Sequence, residues 1–149
     1  MIRDSNAYER QDDRYTVHTH SSAIDLDIVY GFLKTTTWAA EFSREALQEA
    51  FKNSLCFSLR KDGEQIGFAR VITDQVTYAY LCDVLVLEPH RGQGLGTFLI
   101  RSVMEDPRIA PLKRIALITH DAQAFYRRIG FSVAPQPDMY MEKLQSSRK

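Results

Sequence analysis

Residues 85–103 read LVLEPHRGQGLGTFLIRSV: an apolar run, then glycines at 92, 94 and 96 with Arg91 ahead of them, then a helical pattern. A loop so poor in side chains gains little from burial and loses more chain entropy on ordering than most, so something else must favour it. Strand, glycine turn and amphipathic helix, in that order, put free backbone N–H groups and the positive end of a helix dipole against an anion. Arg91 adds a planar, permanently charged fork suited to phosphate. A plain strand-to-helix turn needs one glycine rather than three at alternate positions, so phosphate binding is the favoured reading. A Walker loop would require GxxxxGK[ST], and no lysine is present here. A Rossmann fingerprint needs GxGxxG in a first βαβ unit, whereas this loop follows an antiparallel meander late in the chain.

The meander is read from the residues before the loop. RYTVHTH (14–20) alternates as a short strand, and IDLDIVYGFLK (24–34) places Ile24, Ile28 and Phe32, with Val29 and Leu33, at helical spacing. TTTWAAEF (35–42) breaks the pattern, and Ser43 is the expected N-cap of a second short helix, SREALQEAFKN. LCFSLRKDGEQIGFARVIT (55–73) is two β-like runs around Asp62-Gly63, a strong hairpin signal. VTYAYLCDVLVL (76–87) is almost wholly apolar or aromatic, as a central strand covered on both faces would be.

Beyond the loop, Leu95, Phe98, Leu99, Ser102 and Val103 share one face of a helix that Asp106-Pro107 ends. RIALIT (114–119) reads as a strand, Asp121 as the cap of a helix carrying Ala122, Phe125, Tyr126 and Ile129 on one face, and Gly130 as its stop. Further strands are expected around FSV (131–133) and MYMEKL (139–144). Residues 1–14 are expected to be a flexible N-terminal arm and residues 15–149 one domain. The fold class expected is α/β (α+β), with a mixed, mainly antiparallel sheet flanked by helices.

The composition, 44% hydrophobic and 26% charged, is that of an ordinary globular protein. No apolar stretch is long enough to span a bilayer and the N-terminus lacks the apolar core of a signal peptide, so a cytoplasmic location without membrane contact is expected. Residues 1–88 carry nine Lys/Arg against fourteen Asp/Glu, and residues 89–149 ten against five. That asymmetry hints at an anion met by the C-terminal half, but no dense basic patch suggests nucleic acid. Cys56 and Cys82 lie singly in apolar runs, and His18, His20, His90 and His120 show no ligand spacing. Reduced thiols and no metal are expected.

RGQGLG resembles the Arg/Gln-x-x-Gly-x-Gly/Ala pyrophosphate loop of the GNAT superfamily of N-acetyltransferases. Thirty residues on, AQAFYRRIGF (122–131) is similar to that family's A-x-x-x-Y-x-x-x-G-F segment, and the element order also matches over about residues 15 to 144. The resemblance implies acetyl transfer from acetyl-CoA, as acyl donor, to a small-molecule or peptide amine in a ternary complex. By position it makes Arg91, Gly92, Gln93, Gly94, Leu95, Gly96 and Thr97 the pyrophosphate cradle. Val84, Leu85 and Val86 would offer backbone groups to the pantetheine arm and the acetyl carbonyl. Tyr126 would protonate the departing thiolate, and Thr119 stands where the family often has an asparagine on the pantetheine.

The family often carries Leu-Glu-Asp on the central strand; here the run is Leu81-Cys82-Asp83. A carboxylate in an apolar strand is costly without a partner, so Asp83 reads as catalytic base, as substrate anchor or as the ion-pair partner of Arg70. Trp38, Phe42, Tyr78 and Tyr80 are the expected walls of the acceptor pocket, a setting suited to a cationic amine. A non-catalytic acyl-CoA-binding module is the alternative, and a homodimer is among the assembly states left open.

Overall fold

The computed structural model describes residues 9–12 and 14–145. By internal packing the chain divides into two compact units, 1–118 and 119–149. The first is a six-stranded sheet in the order β1-β2-β3-β4-β5-β6. Its strands are β1 (Glu9–Asp12), β2 (Tyr15–His18), β3 (Leu55–Lys61), β4 (Glu64–Thr73), β5 (Ala79–Val86) and β6 (Ile115–Leu117). All neighbours are antiparallel except β5 and β6, which are parallel, so the mixed and mainly antiparallel sheet is present. Part of the segment expected to be a loose arm is therefore β1, paired to β2 along its length. Residues 1–8 of that arm lie outside the described residues.

Local chemistry accounts for most boundaries. Asp62 and Gly63 both take positive φ, 50° and 83°, as the tight turn between β3 and β4 requires. Helix α1 (Leu26–Leu33) starts at Asp25, whose carboxylate accepts the N–H groups of Asp27 and Ile28. The Asp25 N–H in turn donates to buried Gln65 on β4, tying the helix start to the sheet. Helix α2 (Arg44–Lys52) starts at Ser43, whose hydroxyl accepts the Ala46 N–H as expected. Val29 and Leu33 of α1 and Leu47 of α2 form one buried cluster with Phe68 and Leu85 of the sheet.

Helix α3 (Leu95–Glu105) packs on β3, β4 and β5 and buries Leu95, Leu99, Ile100 and Val103. It ends at Asp106, whose buried carboxylate accepts the backbone N–H and the guanidinium of Arg108. In β5 only alternate residues are fully buried, and those between them are half-buried. The strand is thus less evenly covered on its two faces than its apolar run suggests.

The 119–149 unit corrects two expectations. Helix α4 (Gln123–Arg127) has Ala122 at its cap, and the Ala122 N–H goes to the Thr119 hydroxyl, so Asp121 does not cap it. Its other end is as read: Gly130, at φ 104°, lets the Phe131 N–H reach Tyr126 O and its own N–H reach Arg127 O. FSV and MYMEKL form no strands, and residues 137–139 make only a single 3-10 turn. Alternation shows which side chains would share a face, but a strand needs a ladder partner. Within the described part of this unit there is no other strand to supply one. Met139, Tyr140, Met141 and Leu144 are accordingly exposed.

Candidate active site

The first part of the site is made of backbone. β5 pairs with β6 only from Ala79 to Leu81, yet continues to Val86. From Cys82 onward its β6-facing edge carries no ladder, and this is the stretch holding Val84, Leu85 and Val86. The chain then makes a 3-10 turn over Glu88–His90 and enters the glycine loop. Gly92 and Gly94 sit at φ 79° and 76°, a region that side chains disfavour, and a Cβ at either would meet nothing within 4 Å. Backbone conformation, rather than crowding within the protein, is therefore what demands these two glycines. Gly96 lies inside α3 and needs no such φ.

Gly94 is the N-cap of α3 and has no side chain to cap with; the helix carries no acid in its first turn. Its first backbone bond runs from the Phe98 N–H to Gly94 O, leaving the N–H groups of Leu95, Gly96 and Thr97 without an intrahelical acceptor. The positive end of α3 thus has neither a capping side chain nor a first-turn acid to offset it. Arg91 reaches back, its Nε donating to Val86 O at 2.9 Å, which fastens the loop to the end of β5. This loop meets the requirement of a pyrophosphate: close approach, several N–H donors and one guanidinium.

The second part is made of side chains. Arg70 pairs with Cys82 in the β4–β5 register and Phe68 with Leu85, so Asp83 and Val84 together face Ala69 in a bulge. Asp83 occupies the bulge at φ 52° and is only 7% exposed. One carboxylate oxygen accepts Arg70 Nε at 2.7 Å, and the other accepts the Trp38 indole N–H at 3.1 Å. Arg70 also donates to Ser54 Oγ and lies over the Phe51 ring. Of the three readings of Asp83, the ion pair with Arg70 is present. The indole bond spans 45 positions, and nothing in the spacing of Trp38 and Asp83 in the sequence announces it.

Trp38 lies in the turn after α1, which Thr36 braces by donating to Leu33 O and accepting from the Ala39 N–H. The indole is anchored at its nitrogen while the residue stays 57% exposed. Tyr80 faces Ile72 across the β4–β5 ladder on the side of Arg70 and Cys82, and Tyr78 is exposed just ahead of β5. Phe42, at the end of the Trp38 turn, is exposed as well. Cys56 and Cys82 flank Arg70 on the two neighbouring strands and are both free. Burial pushes their thiols up to about 12 and about 11, so both stay protonated near neutrality. Among the described residues no cluster of three or more His, Cys, Asp or Glu is placed to hold a metal, and no helix is long and apolar enough to cross a membrane.

In the 119–149 unit, Tyr126 is half-buried, and burial raises its phenol above the ordinary value. Its ring stands edge-on to Phe125 and to Phe131, at 5.0 and 5.7 Å between centroids. The Gly130-Phe131 pair thus ends α4 and also braces the Tyr126 ring.

A mixed sheet whose bulged strand leads through a glycine turn into a helix is the arrangement that the GNAT resemblance implies. The Acetyltransferase (GNAT) family model matches residues 25–131, and the chain belongs to that family. Membership implies acetyl transfer from acetyl-CoA. The Gibberella zeae protein FG08082, whose acetyltransferase name is itself provisional, is 30% identical over 128 residues, 72% of either chain. A GNAT-family protein of known structure from Xanthomonas campestris pv. campestris is 38% identical, with a TM-score of 0.85 over 91% of this chain and 96% of that one. A GNAT acetyltransferase from Elizabethkingia anophelis, solved with acetyl-CoA bound, shares the fold at 19% identity, with a TM-score of 0.65 over 91% and 90%.

Proposed function

We propose that the protein is a cytoplasmic N-acetyltransferase that moves the acetyl group of acetyl-CoA to a primary amine by direct attack in a ternary complex. The observation that carries this is the pair of positive-φ glycines, Gly92 and Gly94, leading into a helix start without a side-chain cap, beside the stretch of β5 whose β6-facing edge carries no ladder. In this reading residues 91–97 hold the pyrophosphate. Backbone groups of Val84 to Val86 hold the pantetheine arm and polarise the acetyl carbonyl, as preorganised donors do at a developing oxyanion. The Thr119 hydroxyl, which already accepts the Ala122 N–H, keeps its own hydrogen for the same arm.

Tyr126 is the acid that returns a proton to the leaving thiolate. Burial favours its neutral phenol, so the proton is in place at neutral pH. Asp83 is a positioning residue: both its oxygens are engaged, by Arg70 and by Trp38, and it fixes the indole that walls the acceptor side. With that carboxylate committed, no base on β5 strips the ammonium, and deprotonation costs about 4–5 kcal/mol at pH 7 from the lysine-like reference pKa. The rate should therefore climb with pH as the neutral amine fraction grows.

The test is thiol release from acetyl-CoA against a panel of primary amines. Tyr126→Phe should lower kcat about a hundredfold or more while leaving acetyl-CoA affinity unchanged. Unaltered turnover would remove Tyr126 from the reaction. A second reading, an acyl-CoA-binding module without catalysis, draws on the engaged Asp83 and on Cys82 standing where the family often has glutamate. It predicts stabilisation by CoA with no thiol released against any amine.

A further inference from the structure

The glycine loop is touched by a part of the chain that lies outside its motif. The Tyr15 hydroxyl, at the start of β2, donates to Gln93 Oε1 at 3.2 Å. A glutamine amide has an acceptor end and a two-hydrogen donor end, so engaging the first leaves the second to donate to a ligand of the loop. Lys61, the last residue of β3, pairs with Tyr15 in the strand register and holds its ammonium 5.7 Å from the Tyr15 ring centre. Glu64 stands opposite Lys61 on β4, yet among the described residues the two make no ion pair. The ammonium lies instead over the ring that reaches the loop.

Charge makes this placement useful. A CoA nucleotide carries a pyrophosphate and a separate phosphate monoester on the ribose 3′ oxygen, and a monoester bears between one and two negative charges near neutrality. The motif supplies one side-chain cation, Arg91, whose Nε is bonded to Val86 O. The backbone donors at the start of α3 suit the pyrophosphate, which leaves the monoester in need of a cation at the rim of the loop. We propose that Lys61, set by Tyr15, forms a subsite for the 3′-phosphate of CoA, and that Tyr15 also positions Gln93 for the pyrophosphate. This rests on the acetyl-CoA reading above.

The test is calorimetric titration of the whole protein with CoA and with 3′-dephospho-CoA. The wild type should bind CoA about tenfold more tightly, the size of one charge-assisted contact. Lys61→Ala should erase that ratio by weakening CoA alone, and Lys61→Arg should preserve it. Tyr15→Phe, which keeps the ring beside Lys61 and removes only the hydroxyl on Gln93, should weaken both ligands alike and leave their ratio unchanged; no change with either would overturn the role given to Tyr15. Equal wild-type affinities, or a Lys61→Ala protein that keeps the ratio at an unchanged melting temperature, would overturn the subsite. Failure of the wild type to bind either ligand would instead sink the acetyl-CoA reading, and the subsite with it.

Discussion

The two ends of the candidate site are built from different materials. From Val84 to Thr97 the working groups are backbone: an unpaired strand edge, two positive-φ glycines and the first N–H groups of α3. Around Asp83 they are side chains drawn from the turn after α1, from β4 and from β5, joined by hydrogen bonds across 45 and 13 positions. A backbone site tolerates exchange of most of its side chains, because its main demand on residue type falls on the φ-restricted glycines. A side-chain cluster is the reverse: each member depends on its partners, and loss of one leaves a buried charge or donor exposed to the cost of desolvation. The end proposed for acetyl-CoA should therefore be the more tolerant of side-chain exchange, and the end proposed for the acceptor the less.

Substitutions at the two ends should separate them. The largest effect is expected from Asp83→Asn, which leaves the Arg70 guanidinium without its carboxylate in a nearly buried position. Urea denaturation should show a loss of about 3 kcal/mol, with acetyl-CoA affinity retained in the folded protein; an unchanged midpoint would mean that the pair holds nothing together. Gly94→Ala forces a Cβ into the left-handed region at a strain of about 1–2 kcal/mol. The free loop can relieve that strain by leaving the left-handed region, so binding has to restore it; acetyl-CoA should weaken roughly tenfold with the acceptor KM unaltered. A shift in the acceptor KM of similar size would erase the distinction between the ends. Trp38→Phe removes a single indole N–H bond worth about 1 kcal/mol, so the acceptor KM should rise a few-fold while acetyl-CoA titrations overlay those of the wild type.

Legibility in the sequence follows the same division. The hairpin at Asp62-Gly63, the cap at Ser43 and the loop at 92–94 are local: each residue type is demanded by the φ or the hydrogen bond at its own position, so spacing alone reveals it. The Asp83–Trp38 bond depends on a bulge that aims the carboxylate at a distant turn, and no local pattern announces such an encounter. The cap of α4 misleads for a subtler reason. Asp121 is a favourable residue in nearly the right place, but Thr119 Oγ reaches the Ala122 N–H, and the helix begins after it. In MYMEKL the alternation is real, yet pairing is a property of two segments and cannot be read from one. The split of Lys61 and Tyr15 between two strands hides the approach of the ammonium to the ring in the same way.

The most direct measurement is a calorimetric titration of the purified protein with acetyl-CoA, with NAD as the control ligand and Gly94→Val as the control protein. Saturable one-to-one binding of acetyl-CoA, no response to NAD and loss of binding in Gly94→Val are the predicted results. Absence of acetyl-CoA binding, or equal binding by Gly94→Val, would contradict the assignment of the 91–97 loop and the β5 edge as the cofactor site.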